Sequence, residues 1–198
     1  MEENFRENNK KKSIIKKYNS TAYFYDKRYS KIQEMKYKII TKDYDLNGKI
    51  ILDIGCGTGL LLEYLINSIN YRGIIKHNYI GIDISWSMLL EFKSKISQIG
   101  LTNPILIMSD IENLPIRDNS FDSVFSITSF QNLPYIKEGI KESLRVSKKN
   151  ADIQLSLLKK KFELETIVNI LKSKISLDKI INMENLEDYI FIGKKLNN

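Results

Sequence analysis

Three aspartates and three glycines carry most of the chemical information in this chain. Asp53, Asp83 and Asp110 each close a short apolar run, and Gly55, Gly57 and Gly59 follow the first of them. Glycines between a buried strand and a helix leave no Cβ to keep a ligand away from the backbone. The unpaired amides that open the next helix face the same ligand. Carboxylates accept hydrogen bonds and repel phosphate, so the set points to a ligand rich in donors. The Gly-x-Gly-x-x-Gly turn of dinucleotide enzymes fits poorly on two counts. Its sixth position is Leu60 here, and Asp53 stands near the strand end, where a pyrophosphate would be repelled.

S-adenosylmethionine (SAM) meets the requirement, because it has a sulfonium, an amino group and no phosphate. Asp83 lies 24 residues beyond Gly59, where an acid accepts hydrogen bonds from both ribose hydroxyls. Asp110 is placed to accept from the adenine amino group, with Ile111 over the ring. Cys56 and Ile84 belong to the same turns and complete the cofactor candidates, although Cys56 also reads as a small packing residue. Candidates for the methyl acceptor's pocket are Ser129, Phe130, Gln131 and Asn132, after the fourth strand, with Tyr18 and Tyr25 as a lid. Gln131 and Asn132 equally suit a cap for the helix opening at Pro134, and the tyrosines equally suit ordinary helix packing. His77, the sole histidine, precedes the second strand and so falls at the opposite edge from these residues.

Positioning three acids on one edge requires an alternation of strands and helices. Apolar, β-branched runs at Lys49-Ile54, Tyr79-Asp83, Pro104-Ser109, Phe121-Thr128 and Ala151-Leu158 read as strands. Helical spacing fills Gly59-Asn70, Ser85-Ile99 and Pro134-Val146 between them. A helix at Glu163-Lys174 and strands at Lys179-Met183 and Asp188-Gly193 follow, the last two joined by a loop short enough for an antiparallel hairpin. Strands separated by helices predict a parallel α/β sheet covered on both faces, doubly wound and Rossmann-like. Ahead of it, Ser13-Asp43 has apolar residues at helical spacing and predicts two helices with a break near Tyr29-Ser30. The expected organisation is a flexible tail over 1–12, N-terminal helices over 13–46 on the lid or substrate side, and a SAM-binding domain over 47–198.

Residues 50 to about 147 resemble the class I SAM-dependent methyltransferases. The likeness is greatest to the small domains that include ubiquinone- and menaquinone-biosynthesis C-methyltransferases. The matching segments are Leu52-Asp-Ile-Gly-Cys-Gly-Thr-Gly59, Gly81-Ile-Asp-Ile-Ser-x-x-Met88, and Asp110-x-x-x-Leu114-Pro115 followed by Ser120-Phe121-Asp122. The resemblance implies SAM as cofactor, Asp53 near the methionine amino group, Asp83 on the ribose, Met88 beside the adenine and Asp110 on its amino group. It also implies a seven-stranded, mostly parallel sheet with an antiparallel last strand.

Several acceptor classes are disfavoured. The Asn/Asp-Pro-Pro-aromatic motif of exocyclic amine methylation is absent after the fourth strand, where Ile127-Thr-Ser-Phe-Gln-Asn-Leu133 stands instead. Cytosine-C5 chemistry needs a cysteine nucleophile, and the one cysteine, Cys56, lies in the cofactor turn. The same count excludes a Cys-rich zinc site, and no metal is expected. The net charge of +7 comes from 26 Lys and 5 Arg against 24 acids. Base recognition favours Arg, so the lysines read chiefly as solvated surface. Three readings remain open: a small-molecule methyltransferase; an RNA or protein methyltransferase activated by a small zinc-binding partner protein; and a non-catalytic SAM-binding module. With no membrane-spanning run and a polar, charged N-terminus, the expected location is the cytoplasm.

Overall fold

The structure, a computed structural model, describes residues 2–42, 44–46, 48–68, 78–101 and 103–197, with residues 2–8 as backbone only. His77 lies outside the described residues.

Seven strands form one sheet: β1 (Ile51–Ile54), β2 (Tyr79–Asp83), β3 (Ile105–Met108), β4 (Phe121–Ile127), β5 (Ser147–Leu158), β6 (Ile175–Ile181) and β7 (Asp188–Lys195). Their spatial order is β3-β2-β1-β4-β5-β7-β6. The pairs from β3 through β5 are parallel, and β7 runs antiparallel to both β5 and β6. β1 is buried along its whole length, as its unbroken apolar character requires in a sheet covered on both sides.

Helices α1 (Glu2–Thr41), α2 (Leu60–Asn67) and α3 (Trp86–Gln98) share one core with Ile51, Tyr79 and Phe125. Helices α4 (Ile136–Val146) and α5 (Leu164–Leu171) share the other core with Leu52, Val124 and Ile153. The chain winds outward from β1 in one direction through β2 and β3, then in the other through β4 and β5. The crevice at the carboxyl ends of β1 and β4 is therefore the switch point of the sheet, where ligands bind in open α/β folds.

The N-terminal region departs from expectation. It is one 40-residue helix, beginning at Glu2 rather than Ser13 and unbroken at Tyr29-Ser30. No Gly or Pro interrupts it, so nothing in the backbone forces a break. What changes midway is the contact face. Ala22 is buried in the first half, and Gln33, Lys36, Tyr37 and Ile40 are buried in the second, whereas Ile32 and Met35 are exposed. A rotation of the buried stripe reads in sequence as two helices. No helix among the described residues is long and apolar enough to cross a membrane.

Candidate functional site

The turn after β1 is built by three tight contacts. The amides of Gly55 and Cys56 both donate to the Ile82 carbonyl of β2, at 2.7 and 2.9 Å. The Gly57 amide donates to Asp83 Oδ2 at 3.0 Å. Gly55 has a φ of +73°, and a Cβ there would fall 2.4 Å from the Ser129 side chain. Gly57, with φ at +55°, has nothing within 4 Å of where its Cβ would be and lines the cleft. Both therefore favour glycine, the first because the chain after β4 presses against it and the second because its φ is positive and a side chain there would enter the cleft.

Asp83 sits across this turn. Its second oxygen accepts from the Ser85 amide at 2.8 Å, and Ser85 Oγ caps α3 by accepting from the Met88 amide at 3.3 Å. Burial pushes the Asp83 carboxyl above the usual carboxylate range, against the pull of those amide donors. With the amides of Gly57, Ile84 and Ser85 all acting on it, the carboxylate keeps acceptor capacity for a further donor. Asp110, at the end of the segment after β3, accepts from the Glu112 amide at 2.9 Å. Its other oxygen pairs with Lys11 at 2.7 Å, and Lys11 also reaches Glu112 at 2.6 Å.

A cleft of about 690 Å³, counted out to its open mouth, joins these groups. The walls bring together Gly55, Gly57, Asp83, Ile84, Met88, Asp110, Ile111, Ser129, Asn132, Tyr18 and Tyr25 from the sequence-predicted set. Asp53, Cys56, Gly59, Phe130 and Gln131 do not line it. Asp53 is buried beneath the turn, where the Tyr79 hydroxyl donates to it at 2.5 Å, and burial pushes its carboxyl up to about 7. Cys56 packs toward Gly81, and a Cβ on Gly59 would strike the Phe92 ring at 2.3 Å. Phe130 is a core residue, and the Gln131 amide turns back onto the Thr128 carbonyl.

Helix α1 is bonded closely to the groups around the cleft. Asn132 donates to the Tyr18 hydroxyl at 2.9 Å. Asn19 Oδ1 accepts from Ser85 Oγ and the Ser87 amide at 2.7 and 3.1 Å. Asp26 accepts from Thr58 and pairs with Lys95 at 2.7 Å. Burial raises Tyr18 and Tyr25 above the ordinary tyrosine range, so both hold their protons at neutral pH.

Sequence reasoning missed Lys11, Ile14, Ile127, Thr128, Leu133 and Pro134 on the cleft wall. Lys11 lay within the expected tail, where nothing in a charged run marks one lysine. Thr128 carried a fair signal, since it directly follows β4 at the same edge as the acids. Its φ of +58° is unusual for a β-branched residue. The strain is held by neighbours. Its amide donates to Ser156 O and Oγ at 3.1 and 2.9 Å. Its hydroxyl accepts from Lys36 at 2.6 Å and donates to Asp188 at 2.8 Å. Lys36 pairs with Asp188 at 2.8 Å, both side chains being nearly inaccessible.

Comparison with known proteins agrees with this arrangement. The family described as methyltransferase domain matches residues 52–154, just over half of the chain. An uncharacterized protein of Methanocaldococcus jannaschii, MJ1252, is 32% identical over 140 residues, which cover 70% of this chain and 49% of that protein. Malonyl-[acyl-carrier protein] O-methyltransferase of Hamiltonella defensa is 27% identical over 154 residues, covering 78% and 55%. The chain thus spans about half the length of the curated relatives it matches. A solved complex of the Haloferax volcanii Trm112 methyltransferase activator and a putative methyltransferase has the same fold, with a TM-score of 0.75 at 13% identity, covering 93% of this chain and 98% of that one. From its sequence match and its architecture, the chain belongs to the methyltransferase domain family of the class I SAM-dependent methyltransferases.

Proposed function

We propose that this protein transfers a methyl group from SAM to a small-molecule acceptor in the cleft at the carboxyl edge of the sheet. One observation carries the reading: Asp83, Asp110 and the space left by Gly57 face one cleft, flanked by Met88 and Ile111. That pattern suits a nucleoside with an uncharged ribose, an adenine and a cationic tail, and it suits no phosphate. In this assignment Asp83 takes the ribose hydroxyls, Asp110 the adenine amino group, and Met88, Ile84 and Ile111 enclose the ring. Asp53 supports the turn from below, leaving the amino-acid end of the cofactor to the backbone of Gly55 and Gly57. The cofactor supplies a methyl group already activated on sulfur. The acceptor would lie between Thr128, Ser129 and Asn132 on one side and Tyr18 and Tyr25 on the other. These protonated tyrosines orient by donating hydrogen bonds and do not act as bases, so the acceptor must arrive nucleophilic. Placing the two reactants in line supplies as much as ~7–11 kcal/mol of barrier lowering. A cytoplasmic location, where SAM is made, belongs to the same proposal.

Calorimetric titration with SAM and with S-adenosylhomocysteine tests the assignment. Hydrogen bonds to a charged group contribute about 1.5–3 kcal/mol each. Asp83→Ala should therefore lose at least tenfold in affinity for both ligands while keeping its circular dichroism spectrum. Unchanged affinity would remove the ribose role, and no binding by the parent protein would remove the cofactor.

One observation favours a second reading, an RNA or protein methyltransferase with a small activator protein on the sheet edge. Of the two edge strands, β6 carries Asp178, Lys179 and a register shift between Leu177 and Lys179, devices that discourage pairing. β3 is Ile-Leu-Ile-Met with no charge, and Ile105, Met108 and the nearby Trp86 are more than half exposed. Methyl transfer to an acceptor only when a second protein is added back would favour that reading. SAM binding without transfer to any acceptor, alone or in cell extract, would leave a non-catalytic SAM-binding module.

A further inference from the structure

The charge of this protein is concentrated in one element. Between residues 9 and 41, α1 carries nine Lys and one Arg against Asp26 and Glu34 alone, a net of +8. The whole chain is +7, so everything outside that stretch sums to −1. Lys11 and Lys36 point inward to Asp110 and Asp188, but Lys16, Lys17, Lys27, Arg28 and Lys31 are all exposed.

Large apolar side chains are exposed on the same outer surface. Tyr23 and Phe24 are 78% and 64% exposed, the highest values among the described large hydrophobic residues. Their rings meet edge to face, with centroids 5.0 Å apart. Phe24, Arg28, Lys31 and Met35 form one row on the helix, at i, i+4, i+7 and i+11 over about 16 Å, with Ile32 beside it. Ile32 and Met35 continue the helical spacing of apolar residues, yet the structure leaves them exposed. The row adjoins that of Ile14, Tyr18 and Tyr25, which lines the cleft.

We infer that the outer face of α1 is an interfacial surface that docks this protein on an anionic lipid bilayer. Tyr23, Phe24, Ile32 and Met35 enter the boundary between headgroups and acyl chains, and the Lys and Arg side chains interleaved with them extend to the polar layer. Attraction of the cationic face to anionic headgroups supplies most of the binding, with the exposed rings adding apolar contact. Single-stranded nucleic acid fits less well. It is held in grooves by aromatic platforms, whereas α1 presents a convex ridge on which Ile32 and Met35 offer no stacking surface. The excess of Lys over Arg supplies diffuse charge rather than bidentate phosphate contacts. A docked helix holds the cleft beside the lipid surface. The inference concerns the helix alone and does not depend on the cofactor assignment.

Vesicle flotation with the full chain tests it. The protein should float with vesicles of phosphatidylglycerol and phosphatidylcholine and stay behind with phosphatidylcholine alone. Tyr23→Ser/Phe24→Ser and Lys27→Glu/Lys31→Glu should each weaken the bound fraction at least tenfold. All four side chains are exposed, so thermal melts of these variants should match the parent. Three outcomes would overturn the proposal: no flotation with anionic vesicles, retained flotation by the serine variant, or binding to an oligouridylate with no affinity for vesicles.

Discussion

Asp53 makes stability depend on pH in the neutral range. Its carboxyl is buried with the Tyr79 hydroxyl, and its protonation midpoint in the folded protein is about 7. In an unfolded chain the value is about 3.9. A carboxyl raised on folding favours the native state while it keeps its proton, so the contribution is complete below about pH 4. It is lost progressively up to about pH 7. Between pH 5 and pH 8 the expected loss is about 2–3 kcal/mol. Asp53→Asn keeps the shape and removes the titration. Urea unfolding at the two pH values should therefore show a smaller drop in the variant, and an equal drop would assign the dependence elsewhere. Asp83 is shifted in the same direction, so some slope remains. At this scale the sequence is a good guide to the residues gathered at the cleft after β1 and β2 and a poor one to the contacts of α1. Asp83, Asp110 and the glycines announce themselves by position at strand ends. Asp53 occupies a strand end too, but β1 is buried on both faces and its side chain turns under the turn rather than into the cleft. Lys11 and Thr128 act through partners far away in the chain, and no local pattern encodes such pairings.

Among the elements, α1 has the most to explain. Among its stations on the sheet and its loops are Lys11 to Asp110, Tyr18 to Asn132, and Lys36 to Thr128 and Asp188. The last station is a fully buried ion pair. Removing one partner of such a pair leaves an uncompensated charge and costs about 3–5 kcal/mol, whereas replacing both by neutral groups costs far less. Lys36→Met should lower unfolding free energy by that amount in urea titration, and Lys36→Met/Asp188→Asn should recover most of it. Additive losses would mean the two residues do not act as a pair. The helix itself is legible from its spacing, but its continuity is not. Apolar residues at 14, 18, 22, 25 and 29 describe one stripe, and the next buried set, Gln33, Lys36, Tyr37 and Ile40, includes two polar residues. Hydrophobic periodicity cannot find a buried lysine, so it follows Ile32, Met35 and Ile39 instead.

For the molecule as a whole, ligand and fold should be linked. A ligand at a hundred times its dissociation constant adds about 2.7 kcal/mol to folding. In a domain of this size each kcal/mol moves the melting temperature by about 2–4 °C. S-adenosylhomocysteine at that excess should raise the midpoint by about 5–11 °C. No shift would contradict occupancy of the cleft. The sheet was the most legible feature. The first three strands are compact apolar runs, and right-handed crossovers leave few ways to connect them. The insertion of β7 between β5 and β6 was less so, because a hairpin of two similar strands does not say which one meets β5.

The left-handed backbone at Thr128 has a consequence for variation at that position. Valine is nearly the same shape as threonine, and a substitution table would rank it the mildest change. Here it would keep the branched side chain that dislikes the conformation and discard the hydroxyl held by Lys36 and Asp188. Asparagine, which tolerates that conformation and retains polar atoms, would be the gentler replacement. A lineage drifting at this site should therefore explore a set of residues chosen by backbone geometry, in an order that similarity of size would not forecast.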